Sequence, residues 1–288
     1  MSSAHHLSAP GPRAVSPLLA RLIDDAAVFP PGTATMADAV HEHLTGLAGE
    51  HAGAIGALLC PASRLPELIS ELNKAKPAKP VALSLVIDTG LGGVPKAVSI
   101  CESRSEQLVL HAVEMPAPSD VDEVWLERVA EFVPEDAHRV IEPRRGGSGW
   151  LDGVRKVTEL GYRPKLRCGG PAPENFPSID EVANFLSVVS HAGTSFKATN
   201  GLQSAVRYTD DGTGFTHHGF LNLLVATARA LTGRDVRAAL ASTDGAALAA
   251  EAAALGVPAA QTVRGVFASY GSHTLAEPVS DLRDLGLL

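Results

Sequence analysis

The chain has 288 residues, 45% of them hydrophobic and 19% charged, which supplies apolar material for a large core. A formal net charge of −8 argues against the basic footprint of a nucleic-acid binder, and no apolar run reaches the roughly 18 residues that a bilayer span needs. Three cysteines without close pairing (Cys60, Cys101 and Cys168) argue against a disulfide framework and fit a reducing cytoplasm.

The first segment, Met1 to Pro17, contains Ser, His, Pro and Gly but no basic stretch followed by an apolar one. It reads as a loose tail rather than a signal peptide. From residue 18 onward, short apolar and β-branched runs alternate with amphipathic segments, the pattern of βα units. Strands are expected near Asp25–Phe29, Ala54–Cys60, Val81–Asp88, Leu108–Glu114, Arg139–Glu142, Pro164–Cys168, Ser195–Thr199 and Val263–Ser269. Helices are expected at Met36–Leu47, Leu65–Asn73, Val121–Phe132, Leu151–Leu160, Ile179–Ser190 and Phe220–Leu231, with Asp120 and Ser178 as N-caps. The first strand has a rival reading, because Leu18–Ile23 before it looks helical. If the strand holds, Asp25 lies low in the barrel and Pro30-Pro31 form a rigid lip at its mouth; on the helical reading, Asp24 is instead a helix C-terminal residue with no role.

Eight strands with near-equal spacing from the second to the seventh predict an α/β fold of the (β/α)8 TIM-barrel type, one domain over residues 18–288. The stretch from Asn200 to Thr262 departs from that rhythm. It holds a turn at Thr209–Gly214, one long helix and an Ala-rich pair at Val236–Ala241 and Ala246–Leu255, read as a helical insertion before the last strand. A doubly wound open sheet shares the same local pattern and is the competing architecture.

Chemistry on such a barrel belongs at the C-terminal ends of the strands. Two of the seven lysines sit inside predicted strands, Lys165 in Arg163-Pro164-Lys165-Leu166-Arg167-Cys168 and Lys197 in Phe196-Lys197-Ala198-Thr199-Asn200-Gly201. The other five (Lys74, Lys76, Lys79, Lys96 and Lys156) lie in polar turns or on helix surfaces, where a solvated ammonium costs nothing. Strand alternation places Lys165 and Arg167 on one face, about 7 Å apart. Two neighbouring cations repel unless an anion, or carboxylates such as Glu142 and Glu114, sit between them. Asp88, Glu114 and Glu142 end three successive strands, and Arg144 follows Glu142. An internal ion-pair cluster with no catalytic role would use the same residues, although barrels normally fill this layer with Val, Ile and Leu.

Gly-rich loops follow four of these ends, at Asp88–Gly93, Arg145–Gly149, Cys168–Gly170 and Ser269–Ser272. Glycines permit close backbone approach and present N–H groups to anions. Ser269, Gly271 and Ser272 after the last strand, with Arg167 or Arg207 nearby, are therefore candidates for binding phosphate or carboxylate, together with Asn200. His218, in His217-His218-Gly219 ahead of a helix, is a candidate for a neutral hydrogen-bonding role in the same site, with capping as the plainer reading. Cys168 beside two cations is either a thiol of lowered pKa or a small packing residue. His111, inside the fourth strand, reads as a satisfied core residue.

The segment Phe196–Gly201 resembles the Lys-Thr-Ser-Thr-Gly signature of the deoxyribose-phosphate aldolases, class I aldolases on a (β/α)8 barrel. In that family the signature lysine lies on strand six and forms a Schiff base. A second lysine, on the next strand in a Lys-x-x-Gly-Gly pattern, depresses its pKa. Lys197 corresponds to the signature lysine, with Thr199 and Gly201 in similar places, and the resemblance implies a lysine-based aldolase without cofactor. The order differs here: no lysine follows Lys197, and the nearest likeness to the second pattern, Lys165-Leu166-Arg167-Cys168-Gly169-Gly170, precedes it. Leu22–Pro31, Phe196–Gly201, His218–Asn222 and Ser269–Leu288 are also similar to a bacterial protein family of about this size that brings no known activity.

Three functions fit these residues. The first is a Schiff-base lyase or aldolase for a small phosphorylated or carboxylated carbonyl compound. In it Lys197 is the nucleophile, Lys165 and Arg167 lower its pKa or hold the anion, and Glu142 or Glu114 shuttles protons. The second is Mg²⁺-assisted enolate chemistry on Asp88, Glu114 and Glu142, with either lysine as base. The third is a non-catalytic receptor for a small anionic metabolite. None calls for nucleic acid or membrane, and all allow a homo-oligomer.

Overall fold

The computed structural model describes residues 15–119, 121–147 and 149–288. The first fourteen residues and the expected N-cap Asp120 lie outside that set. Eight parallel strands close into a barrel. They are β1 (Ile23–Asp25), β2 (Ile55–Pro61), β3 (Val81–Val86), β4 (Leu108–Pro116), β5 (His138–Glu142), β6 (Arg163–Arg167), β7 (Phe196–Thr199) and, after a short antiparallel pair β8 (Tyr208–Thr209) and β9 (Thr216–His217), β10 (Phe267–Ser272). Each barrel strand pairs with its sequence neighbour, β7 joins β10, and β10 closes on β1.

Helices cover the outside: α1 (Met36–Ala48), α2 (Leu65–Ala75), α3 (Val94–Glu102), α4 (Glu123–Phe132), α5 (Trp150–Glu159) and α6 (Ile179–Ala192). In the insertion come α7 (Phe220–Leu231), α8 (Val236–Ala241), α9 (Gly245–Ala253) and α10 (Val257–Val266), and α11 (Ala276–Asp284) follows β10. Local chemistry sets their starts. Thr35 caps α1 by accepting from Asp38 N–H, Asp122 caps α4, and Ser178 with Glu181 forms a reciprocal capping box on α6. Among the described residues no single helix is long and apolar enough to cross a membrane.

The apolar core lies between the barrel wall and the helices, not inside the barrel. One cluster packs β6, β7 and β10 against α6–α10, with Phe185, Phe196 and Phe267 in consecutive ring contact. A second packs β2–β5 against α1–α4. The α7 helix is buried on almost every side because α8, α9 and α10 fold over it. That explains its unbroken Phe-Leu-Asn-Leu-Leu-Val-Ala run.

Three expectations differ from the structure. The first strand is Ile23–Asp25, two residues earlier than expected, so Asp24 turns into the barrel while Asp25 turns outward to His43 on α1, at 3.2 Å. The last strand begins at Phe267, because Val257–Val266 forms α10; apolar runs of that length fit either element. Helices α3 and α11 also form where none was expected.

The insertion is tied down by one buried amide. Asn222 Oδ1 accepts from Arg207 N–H, and its Nδ2 donates to Ala239 O and Ser242 O, each at 2.8 Å. Replacing Asn222 with Ala strands three backbone groups, and at about 1 kcal/mol each a loss of about 3 kcal/mol is expected. Urea unfolding checks it, and a loss below a few tenths of that would show that the tether is replaced by water.

Candidate active site

The barrel interior is lined by charge. Glu114 on β4 is fully buried and lies between two lysines: Lys197 Nζ donates to Oε1 at 2.5 Å, and Lys165 Nζ lies 2.9 Å from Oε2. Ser84 Oγ on β3 donates to the same Oε1 at 2.5 Å. Lys197 also contacts Asp24 Oδ2 on β1 at 2.7 Å. That carboxylate accepts from Ser269 Oγ at 2.6 Å and, through Oδ1, from Ala57 N–H at 2.7 Å. On the other side Lys165 Nζ lies 3.4 Å from Glu142 Oε2, and Arg167 Nε donates to Glu142 Oε1 at 2.6 Å. Three anions and three cations thus alternate across the barrel in the order Asp24, Lys197, Glu114, Lys165, Glu142, Arg167.

Backbone register builds this row. Lys165 and Lys197 are direct partners on β6 and β7, as are Arg167 and Thr199. Ser269 is opposite Lys197 on β10. The Asp24 carboxylate lies so close to β2 that a Cβ at Gly56 would come within 2.1 Å of Oδ1. Where β6 and β7 end, Asn200 and Gly201 take left-handed conformations (φ 57° and 67°), and a Cβ on Gly201 would lie 2.4 Å from Cys168 O. The glycines after both strands let the two exits cross at close range.

The electrostatics follow from this geometry. Burial pushes the Glu114 carboxyl up, but Lys165 and Lys197 with the two hydrogen bonds outweigh it and hold it well below the ordinary carboxylate range. Glu142 is held low in the same way by Lys165 and Arg167 against its burial. For Lys197, burial favours the free amine, yet Asp24 and Glu114 dominate and raise its pKa. Lys197 is therefore a firm ammonium, not the depressed amine expected of a nucleophile next to cations. Its neighbours across the barrel are two carboxylates, Glu114, which the sequence placed among these lysines, and Asp24, which it did not.

A cavity of about 710 Å³ opens at the C-terminal ends of β5 and β6. Lys165, Arg167 and Glu142 form its wall with Arg144, Arg145 and Asn175. Lys197 and Glu114 are not in that wall; they stand behind Lys165. Arg145 is committed to Glu181 at 2.9 Å and to the backbone oxygen of Glu174, whereas Arg144 is exposed and makes no ion pair among the described residues.

The remaining expected site residues lie elsewhere. Asp88 is exposed and bonds to Ser63 N–H at 3.0 Å and to its hydroxyl. It does not join Glu114 and Glu142, and among the described residues no group of three His, Cys, Asp or Glu is arranged to hold a metal. Asn200, Gly271 and Ser272 line a separate cleft of about 20 Å³ with Pro30 and Pro31, room for about one water. The Ser272 hydroxyl is already bound to Thr274 O at 2.6 Å, and that of Ser269 to Asp24. His218 is fully buried and outside both cavities. Nε2 donates to Pro177 O at 2.8 Å, Nδ1 lies 3.3 Å from Arg207 Nη1, and burial pulls its pKa to about 4, so it is a neutral strut. Cys168 is buried and its thiol is pushed up to about 12, the packing alternative rather than the reactive one. His111, only half buried, meets the His138 ring edge-on at 5.0 Å.

Sequence reading passed over Asp24 and Ser84. Ser84 carried a signal, a lone hydroxyl inside the apolar run Val81–Val86. Asp24 was hidden because the expected first strand began one residue after it, at Asp25. Comparison with family models, with curated proteins and with solved structures returns no match for the chain.

Removing the central carboxylate leaves two buried ammoniums to share fewer partners, so Glu114→Gln is expected to cost about 3 kcal/mol. An unfolded Glu titrates near about 4.3, and Glu114 and Glu142 titrate lower in the fold. Their contribution is complete above that pH and is lost as the pH falls through the lower folded values. Lys197 titrates above its unfolded value of about 10.4, so its contribution is complete below that and fades as the pH rises through the folded value. Denaturant titrations from pH 2 to 11 should show a plateau with losses at both ends. The acid limb should be shallower in Glu114→Gln; an unchanged acid limb would mean that Glu114 does not carry it.

Proposed function

We propose that this chain is a Schiff-base lyase of aldolase type acting on a small anionic carbonyl compound, with Lys165 as the nucleophile. One observation carries the reading: Lys165 is the lysine in the wall of the cavity, with Glu142 beside its amine as a proton acceptor and Arg144 and the free Nη edge of Arg167 in the same wall. Lys165 also stands on β6 and Lys197 on the next strand. This is the spatial order of the two aldolase lysines in the family that Phe196–Gly201 resembles, although the signature sequence here surrounds the other one.

In this reaction the Lys165 ammonium first gives a proton to Glu142, the neighbouring carboxylate that shares the cavity wall. An anionic substrate on the free Nη edge of Arg167 shares that cation with Glu142, which makes the Glu142 carboxylate a better acceptor. The amine then attacks the carbonyl carbon, forming the N–C bond, and the oxygen leaves as water once protonated. The resulting iminium accepts the electron pair of the C–C bond one carbon away as that bond breaks. The departing carbon carries a hydroxyl, which gives its proton to Glu142 (a carboxylate again once water has left) and becomes a carbonyl. Glu142 then returns that proton to the enamine carbon, and water hydrolyses the iminium to free Lys165. Lys197 stays charged throughout and fixes Glu114.

Borohydride treatment in the presence of small aldehydes and oxo acids, followed by peptide mapping, tests the assignment. A reduced adduct is expected on Lys165 and none in Lys165→Met. An adduct confined to Lys197 would overturn the choice of nucleophile, and no adduct on either lysine would end the Schiff-base reading.

A further inference from the structure

The cavity wall holds more positive charge than the chemistry at Lys165 consumes. Arg144, Arg145, Lys165 and Arg167 face two carboxylates, Glu142 and Glu174, in a chain whose overall charge is −8. A local cationic well in an acidic protein concentrates anions at one place. Arg145 is already spent on Glu181 and the Glu174 backbone. Arg167 uses only Nε, on Glu142, so its two Nη nitrogens lack a hydrogen-bond acceptor among the described residues. Arg144 makes no ion pair among the described residues. The opposite rim is poorly suited to an anion, since the Ser269 and Ser272 hydroxyls are already engaged and the cleft there holds about 20 Å³.

The spacing within the well is set by a resident group. One oxygen of Glu142 accepts from Arg167 at 2.6 Å while the other lies 3.4 Å from the Lys165 amine. That carboxylate fills the gap between Arg167 Nε and the Lys165 amine, so a ligand carboxylate meets Arg167 on its free Nη edge, in the same wall as Lys165. We propose, resting on the Schiff-base reading above, that the substrate is a short 2-oxo acid whose carboxylate is held by Arg167 and Arg144 while its adjacent carbonyl carbon meets Lys165. A planar carboxylate matches the outer edge of a guanidinium fork. A phosphate ester sets its charge several bonds further from the carbonyl, whereas Arg167 and Lys165 stand two residues apart on one strand in the same wall.

Borohydride trapping with three probes separates this from the broader reading: pyruvate as the 2-oxo acid, acetaldehyde as the neutral carbonyl and dihydroxyacetone phosphate as the phosphorylated one. Pyruvate is expected to label Lys165 at the lowest concentration, and Arg167→Met should lower the ratio of pyruvate to acetaldehyde labelling by about tenfold. Using the ratio keeps the test valid if the variant is less stable. Labelling of Lys165 by dihydroxyacetone phosphate in preference to pyruvate, or an unchanged ratio in Arg167→Met, overturns the 2-oxo acid assignment and leaves the Schiff-base reading intact. No labelling by any of the three removes both.

Discussion

Six charges of alternating sign cross the inside of this barrel, and the rest of the site depends on that alternation. An isolated carboxylate or ammonium at such depth would lose several kcal/mol of hydration. Here each one meets opposite charge, and the two innermost acids receive further donors: Ser84 on Glu114, Ser269 and Ala57 N–H on Asp24. The row needs contributions from β1, β4, β5, β6 and β7 at matching heights. A one-residue slip in any of those strands would turn a charge into the apolar layer beneath the helices. Gly56 belongs to the same constraint, since any side chain there would collide with the Asp24 carboxylate.

The two ends of the row differ, and the difference gives it a direction. At the Asp24 end, the Ser269 hydroxyl and the Ala57 N–H satisfy the last anion. At the Arg167 end, the row opens into the large cavity with its outermost cation half exposed. Lys197 and Lys165 contact the same carboxylate, yet one is interior and fixed while the other is the boundary between the buried row and solvent. Identical side chains thus acquire different chemistry from access and neighbours, not from type.

Much of this was legible beforehand. Alternation of strand and helix patterns led to the barrel, and the cost of a strand lysine singled out Lys165 and Lys197. The same strand-end reasoning found Glu114, Glu142 and Arg167. What failed was local and has local causes. A three-residue first strand carries almost no periodicity, so Asp24 was assigned to the wrong element. The apolar end of α10, Val263–Val266, passed for the start of the last strand, which begins at Phe267. His218, Ser272 and Asp88 looked available because a sequence shows polar groups without the partners that occupy them: Pro177 O, Thr274 O and Ser63.

The segment Lys197–Gly201 shows why a shared motif and a shared role can separate. Asn200 and Gly201 take left-handed conformations, and Gly201 passes within contact of Cys168 and Gly169 at the end of β6. That part of the motif is a backbone requirement: two adjacent strands bearing inward lysines must leave the barrel side by side, and only residues tolerating positive φ or lacking a side chain allow it. The requirement belongs to the β6–β7 pair and is met whichever lysine reacts. Which amine reaches the cavity is then decided by height and exposure: β6 carries its lysine to the cavity wall while β7 keeps its own behind Glu114.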